Sequence, residues 1–513
     1  MRFRLRRAGQ GFLPLSALLL AGCLFYGQAT VQEIDPTVSR LVESPVRAHL
    51  LNLSSVFFQD GVLLTGDVIR GRGRAYGVRM EPLGTRNEIP IDSLAGLEAL
   101  TGGNLQWGNT LVASTLTAGA AVLATVALAV AIFGSCPTFY ATTADGFTLE
   151  AEGFSYSISP LLEARDVDVL RSVQAKDGWI ELELRNEALE THFINHLEIL
   201  AAETEPGERI FPDVDGGMLA VGGLRSPVSM VDAAGRDLRS VLSTADGVAY
   251  ETPVDRIRAA RDGDPFDHII IEVPPQPDSE AVMVLRLRNS LLTTLLFYDL
   301  MLAPGGIETL DWMTEDMQRI DKAVEMAFWA REYLGLRVEA EGDNGFEPVS
   351  KVSDTGPIAW EEVAITVPAH PERTTRIRLS FLADAWRIDQ LALAESWREP
   401  DFRRIPVAEV LGPDGELEPD AVRALSSPDE EYLETRPTHR MTLRFPVGPK
   451  AGSYLLASQG YYTEWVRPQW IREAHSPRHF EPNRDVIREL HTRWLDERAD
   501  LEERFFSSAI PVR

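Results

Sequence analysis

Cysteine is nearly absent from this chain of 513 residues: Cys23 and Cys136 are the two present. That excludes a disulfide scaffold and any Cys-rich zinc or iron–sulfur site. Basic residues are short as well, 50 Lys and Arg against 77 Asp and Glu, for a formal net charge of −27. Phosphate backbones demand a basic patch, so this balance excludes nucleic acid as a partner. Catalytic signatures are also missing: no Gly-x-Ser-x-Gly elbow, P-loop or Gly-x-Gly-x-x-Gly fingerprint occurs. No metal set or cofactor is indicated. With 77 acids, a glycosidase-type carboxylate pair has many candidates, and nothing singles one out. What remains is globular composition, 44% hydrophobic and 25% charged, in a length that suits about three domains.

The N-terminus reads as an export signal. Arg2, Arg4, Arg6 and Arg7 form a positive region, Phe12 to Leu20 an apolar run, and Ala21-Gly22 a small-residue cleavage site. The apolar run is too short to span a bilayer, which takes about 20 residues. Cys23 follows, and Leu20-Ala21-Gly22-Cys23 resembles the lipobox of bacterial lipoproteins. The resemblance implies cleavage before Cys23, a diacylglyceryl thioether on its sulfur and acylation of the new amine. More than one acyl chain gives stable anchoring. By the same resemblance, Leu24 in place of Asp favours the outer membrane or periplasmic face over the inner membrane. Removal of residues 1–22 leaves 46 basic against 77 acidic residues. With Cys23 lipidated, Cys136 has no partner and is expected as a free thiol.

Residues 23–43 read as the lipid anchor and a tether. Residues 44–100 read as a small β domain, barrel-like, with Asp60-Gly61 as one turn and Gly71, Gly73 and Gly77 punctuating another. Arg70, Arg72, Arg74, Arg79 and Arg86 give it a basic surface, either for phosphate headgroups or simply solvated. From Ala99 to Ala144 there is no charged residue over 46 positions. Within it Leu111 to Phe133 spans 23 apolar or small residues, so 109–134 is expected as an apolar helix. As a helix the core stretch measures about 35 Å, enough for a hydrocarbon layer of about 30 Å. Trp107, Phe139 and Tyr140 flank it at interfacial positions. Two readings stay open, a transmembrane or membrane-contacting helix and a buried Ala-rich core helix. The apolar run, with the Ser135-Cys136-Pro137 element after it and the chain as far as about Leu170, is similar to segments of uncharacterised membrane-anchored bacterial proteins. That resemblance implies no activity.

The rest is expected to be mainly β: a β-sandwich-like domain at 135–305, a helix or linker at 306–335, a second β-sandwich-like domain at 336–475 and a C-terminal helix at 476–513. A weak repeat supports duplication. Leu184-Arg185-Asn186 is followed by Leu189, Thr191 and Leu197, and Leu287-Arg288-Asn289 by Leu292, Thr294 and Leu300, at the same offsets. The two accessory helices are expected over Leu310 to Leu334 and Arg484 to Phe505, from their 3.6-residue apolar spacing.

Few groups look chemical. His192 and His196 would serve one metal on a helix, but on a strand they lie about 13 Å apart. Asp213-Val214-Asp215-Gly216 carries part of a calcium loop but lacks the third ligand before the Gly and the later Glu, and it reads better as a β-turn. Tyr461, Tyr462, Trp465 and Trp470 are the densest aromatic stretch. Tyr461, Trp465 and Trp470 are the candidate ligand-binding residues, as stacking platforms for sugar rings; the alternative is a sheet edge packed on the C-terminal helix. The expected function is a lipid-anchored cell-envelope protein, non-enzymatic, binding or scaffolding an envelope protein or a glycan. The alternatives are a carbohydrate-binding envelope protein and a hydrolase with an unrecognised site. The expected membrane contacts are Cys23 and residues 111–133.

Overall fold

The computed structural model describes residues 29–52, 54–77, 82–102, 136–143, 146–214, 216–306, 308–313, 319–448, 452–465, 470, 478–507, 509 and 512. The export signal, Cys23 and the apolar stretch 111–133 lie outside the described residues. Among the described residues no helix is long and apolar enough to cross a membrane. The architecture is mainly β, and the described strands fall into one eight-stranded sheet and four five-stranded sheets.

The eight-stranded sheet covers 29–102. Alternation buries Val46, Ala48, Val56, Phe58, Ile69, Ile89 and Leu97 in its own core. Three corrections arise here. Strands Ala29–Glu33 and Arg40–Val42 lie in the stretch expected as tether, and they form the two ends of the sheet path. Their pairing is a backbone matter, Ala29 with Gly102 and Arg40 with Leu64, so side-chain patterning did not mark them. Among the described residues the end strands do not pair with one another, so the described strands form an open path rather than a closed barrel. Gly71 and Gly73 are not turn residues but lie inside strand Val68–Tyr76. A Cβ on Gly73 would sit 2.5 Å from Val56 Cγ1 and 2.6 Å from Phe58 Cε1. The glycine is there because an aromatic ring lies over the backbone.

The two sandwiches are nested rather than serial. Strands between 138 and 202 pair with strands between 402 and 464 to make one pair of sheets. Strands between 208 and 398 make the other pair. The second sandwich is therefore inserted into the first, which replaces the expected boundaries at 135–305 and 336–475. The seam is strand Glu190–Ala202 antiparallel to strand Ser453–Glu464, running from Glu190 opposite Glu464 to Ala202 opposite Ser453. Both faces of that pair are covered. Ile194, Leu197 and Ile199 enter the main core, and Leu200, Ala202, Leu455 and Ala457 pack on Ile210, Met218 and Ala220 of the insert. A strand buried on both faces reads as a nearly continuous apolar run.

Helices fill the ends. Leu291–Leu295 is capped by the Ser290 hydroxyl, which accepts from Leu292 N at 3.2 Å. It continues into a π-helical turn, Leu296–Leu302. This corrects the repeat. Asn186 and Asn289 are both buried and both tie down a strand end. After them the copies diverge, since Leu189, Thr191 and Leu197 lead into and along a strand while Leu292, Thr294 and Leu300 lie on helix. Helix Ile320–Tyr333 is shorter at its start than the expected 310–334, with a separate turn Glu308–Asp311 before it. Helix Arg484–Ser507 buries Ile487, Leu490, Trp494, Leu501 and Phe505, the face its spacing predicts.

Candidate functional site

The aromatic stretch proposed as a sugar platform is buried: Tyr461, Trp465 and Trp470 are 0%, 1% and 1% exposed. Tyr461 stacks on Phe193 at 4.8 Å with Tyr432 edge-on at 5.5 Å. Tyr462, on the other face of the strand, donates its hydroxyl to Ser155 O at 2.9 Å. Trp465 donates Nε1–H to Thr191 Oγ1 at 3.0 Å. Its ring meets Arg47 at 5.2 Å and His49 at 5.5 Å, both from the N-terminal sheet. These rings are covered by protein and present no face to a sugar; Tyr461 sits on a central strand rather than an edge. Trp465 is instead a contact between the N-terminal sheet and the host sandwich.

His192 and His196 share one strand and have separate partners. His192 lies 2.7 Å from Glu190 and 3.0 Å from Thr435 Oγ1, and burial brings its imidazole down to about 3. His196 bonds Leu425 O at 3.0 Å. The rings do not converge on one ion. Gly216 N donates to Asp213 O at 3.0 Å, the turn reading of that stretch. Arg70, Arg72 and Arg74 face Glu88, Asp60 and Asp311 at 2.9, 3.9 and 2.6 Å. Cys136 is a buried thiol, 3.1 Å from Glu152 Oε1.

A cavity of about 370 Å³ lies beneath helix Ile320–Tyr333. That helix contributes Met326, Trp329 and Ala330 to the lining. The buried π-helical turn contributes Phe297 and Met301, and the segment after Glu308–Asp311 contributes Trp312 and Met313. Tyr156, Ile158, Ser159 and Leu162 close it from the loop between strands Gly146–Glu152 and Ala164–Leu170. The wall is thus built from both sandwiches. Trp329 is held by Nε1 donation to Asn483 O at 3.2 Å and by Phe480 edge-on at 5.3 Å. Phe480 also meets Trp312 at 6.2 Å. The indoles are fixed, while three methionines, Met301, Met313 and Met326, supply adaptable surface. On the outer face of the helix Val324 and Phe328 are 47% and 66% exposed.

Part of the lining is polar, with Ser159, Lys351 and Asp354 in it. Ser159 Oγ is buried and has no hydrogen-bond partner. Lys351 Nζ donates to the carbonyls of Ala330 and Arg331 at 3.5 and 3.3 Å, at the C-terminal end of the helix. Asp354 accepts from Asn289 Nδ2 at 3.1 Å and Gly335 N at 3.0 Å, and burial raises its carboxyl. Asn289, singled out by the repeat, therefore anchors the polar part of the lining, a role the repeat did not suggest. Tyr156 links this cavity to a group of acids. Burial, then the charges of Asp166 and Glu361, push its phenol up to about 12. Asp166, Asp168 and Glu361 are the described residues grouped closely enough to hold a metal ion. The sequence carried half of that signal, the Asp-x-Asp spacing at 166 and 168.

No protein family matches the chain, and no curated protein is similar to it. Among solved structures, the C-terminal CBM6 of LamC, a marine laminarinase from Zobellia galactanivorans, is similar at 10% identity and TM-score 0.14, over 38% of this chain and 99% of that one. A cycloalternan-forming enzyme from Listeria monocytogenes is similar at 11% identity and TM-score 0.17, over 66% of this chain and 31% of that one. A GH31 alpha-xylosidase from Xanthomonas citri gives 8% identity and TM-score 0.16, over 84% and 38%. Likeness of this extent carries no argument about ligand or activity.

Proposed function

We propose that this is an exported, lipid-anchored envelope protein that binds an amphiphile without catalysis, the apolar body in the cavity and the polar end toward the lining residues Lys351 and Asp354. The observation that supports this reading is the cavity itself. It falls within the roughly 300–1,000 Å³ of ligand pockets, and its wall is Met, Trp and Phe with few polar atoms. A sugar brings a hydroxyl on nearly every carbon and would bury them here without partners, at a cost. A fatty acyl chain brings one polar end, and Lys351 and Asp354 are polar residues of the lining that could receive it. If each water-sized group takes about 30 Å³, the space holds roughly a dozen. Burying about ten methylenes at ~0.8 kcal/mol each gives ~8 kcal/mol, a Kd on the order of 1 µM before ordering costs. The expected lipid on Cys23 would hold the cavity at a membrane surface, where amphiphiles are abundant, and the apolar stretch 111–133 would add a second membrane contact.

A fluorescent dodecanoate titrated into the full chain is expected to saturate with a micromolar midpoint. Ala330→Phe, which fills the cavity, is expected to abolish that signal with the melting temperature kept. Binding of a soluble glucan in place of the acyl probe, equally lost in Ala330→Phe, would shift the reading to the carbohydrate alternative.

A further inference from the structure

We infer that Asp166, Asp168 and Glu361 form a site for a hard divalent cation of the calcium class, clamping the inserted sandwich to its host. Asp166 and Asp168 are two residues apart on strand Ala164–Leu170, so their side chains leave the same face. That strand belongs to the host. Glu361 opens strand Glu361–Pro368 of the insert. One oxygen from each carboxylate lies within 4.8 Å of the other two. Two oxygens on opposite sides of a calcium ion stand about 4.6–5.2 Å apart, given bonds of 2.3–2.6 Å. Magnesium dehydrates reluctantly and usually keeps several waters, so a largely buried carboxylate set suits calcium better.

The second observation is Asp168. It is 2% exposed, and its Oδ2 is buried with no donor from the rest of the protein; the hydrogen bond its carboxyl makes is with Glu361, an acid of the same cluster, and needs a proton between the two. Leaving a buried carboxylate oxygen unmatched is costly. Nor do the dominant charges help. After burial, the strongest influences on Asp168 are Glu361, Asp166 and Glu152, all of the same sign. Nearby guanidiniums are committed elsewhere. Arg171 and Arg209 pair with Glu362, and Arg288 donates to the carbonyls of Pro357 and Ile358. Asp166 is aimed by Phe154 N at 3.1 Å and Val167 N at 2.9 Å, which orient its carboxylate without neutralising it. An ion with two positive charges supplies what the protein omits here, and water completes its shell.

The test uses the full-length chain, stripped with EDTA and desalted. Metal analysis after gel filtration in calcium is expected to find one calcium per chain. Calcium chloride is expected to raise the melting temperature saturably by several degrees, and magnesium chloride by less. Asp168→Asn and Glu361→Gln keep shape and remove a ligand charge, so each is expected to melt in EDTA at or above wild type and to show no calcium-induced rise. Stripped wild type that takes up no calcium overturns the proposal. So does a calcium response of wild-type size in both variants, which would place the ion elsewhere.

Discussion

Replacing Trp465 by Ala tests the packing of the host sandwich against the N-terminal sheet. The side chain is 1% exposed. Emptying a buried aromatic site costs about 3–5 kcal/mol. Two further losses fall in the same place. Thr191 Oγ1 loses the indole N–H at 3.0 Å, and Arg47, itself 5% exposed, loses the ring at 5.2 Å. Arg47 is already strained electrostatically: burial draws its guanidinium down to about 10 against the support of Glu434 and Glu98. The expected loss is about 4 kcal/mol, with the N-terminal sheet affected most. Trp465→Phe keeps most of the area and drops the hydrogen bond, so about 1–1.5 kcal/mol is expected. Urea unfolding gives the energies, and limited proteolysis shows which part opens first. A Trp465→Ala protein of unchanged stability that has lost binding to a polysaccharide would refute the reasoning and restore the sugar platform.

Three further outcomes follow from individual sites. Burial alone would raise Glu434, but the His49 hydrogen bond, then the charges of His49 and Arg436, bring it down to about 2 from its ordinary 4.5. A carboxylate lowered on folding stabilises above its unfolded pKa, so on the order of 3 kcal/mol is expected to be lost as pH falls from about 4.5 toward 2; Glu434→Gln should flatten that part of a pH–urea profile, and an unchanged profile would refute a stabilising role for the His49–Glu434 pair. Gly73→Ala is expected to destabilise the N-terminal sheet by about 1–3 kcal/mol through its clash with Val56 and Phe58, read by thermal unfolding; a neutral result would mean the ring moves aside freely. Cys23→Ser is expected to abolish incorporation of radiolabelled palmitate, and full labelling of that variant would remove the lipid anchor from the account.

Local patterning made much of the fold legible. The C-terminal helix face came directly from the spacing of Ile487, Leu490, Trp494, Leu501 and Phe505, all buried as that spacing requires. The mainly β character came from alternation and turn residues. The nesting was not legible, because Glu190–Ala202 finds its partner Ser453–Glu464 across the whole insert and no local pattern records that pairing. The repeat pointed to two real strand ends, at Asn186 and Asn289, and then misled. The same leucine and threonine offsets serve a strand once and a helix once, since both elements here are buried all round. The cavity escaped notice for a related reason. Its methionines and tryptophans come from separate segments, and each segment alone reads as core. Asp166 and Asp168 are an Asp-x-Asp pair that the sequence reading did not single out, and Glu361 joins them only through the packing of host on insert.

The central claim, an amphiphile in the cavity beneath helix Ile320–Tyr333, is tested most directly by asking what the protein carries. Wild type and Ala330→Phe, purified side by side, are extracted with organic solvent and the extracts compared by mass spectrometry. The account predicts about one fatty acyl compound per wild-type chain, beyond the lipid on Cys23, and its loss from the filled variant. Equal amounts from the two proteins, or no such compound from wild type, would contradict it.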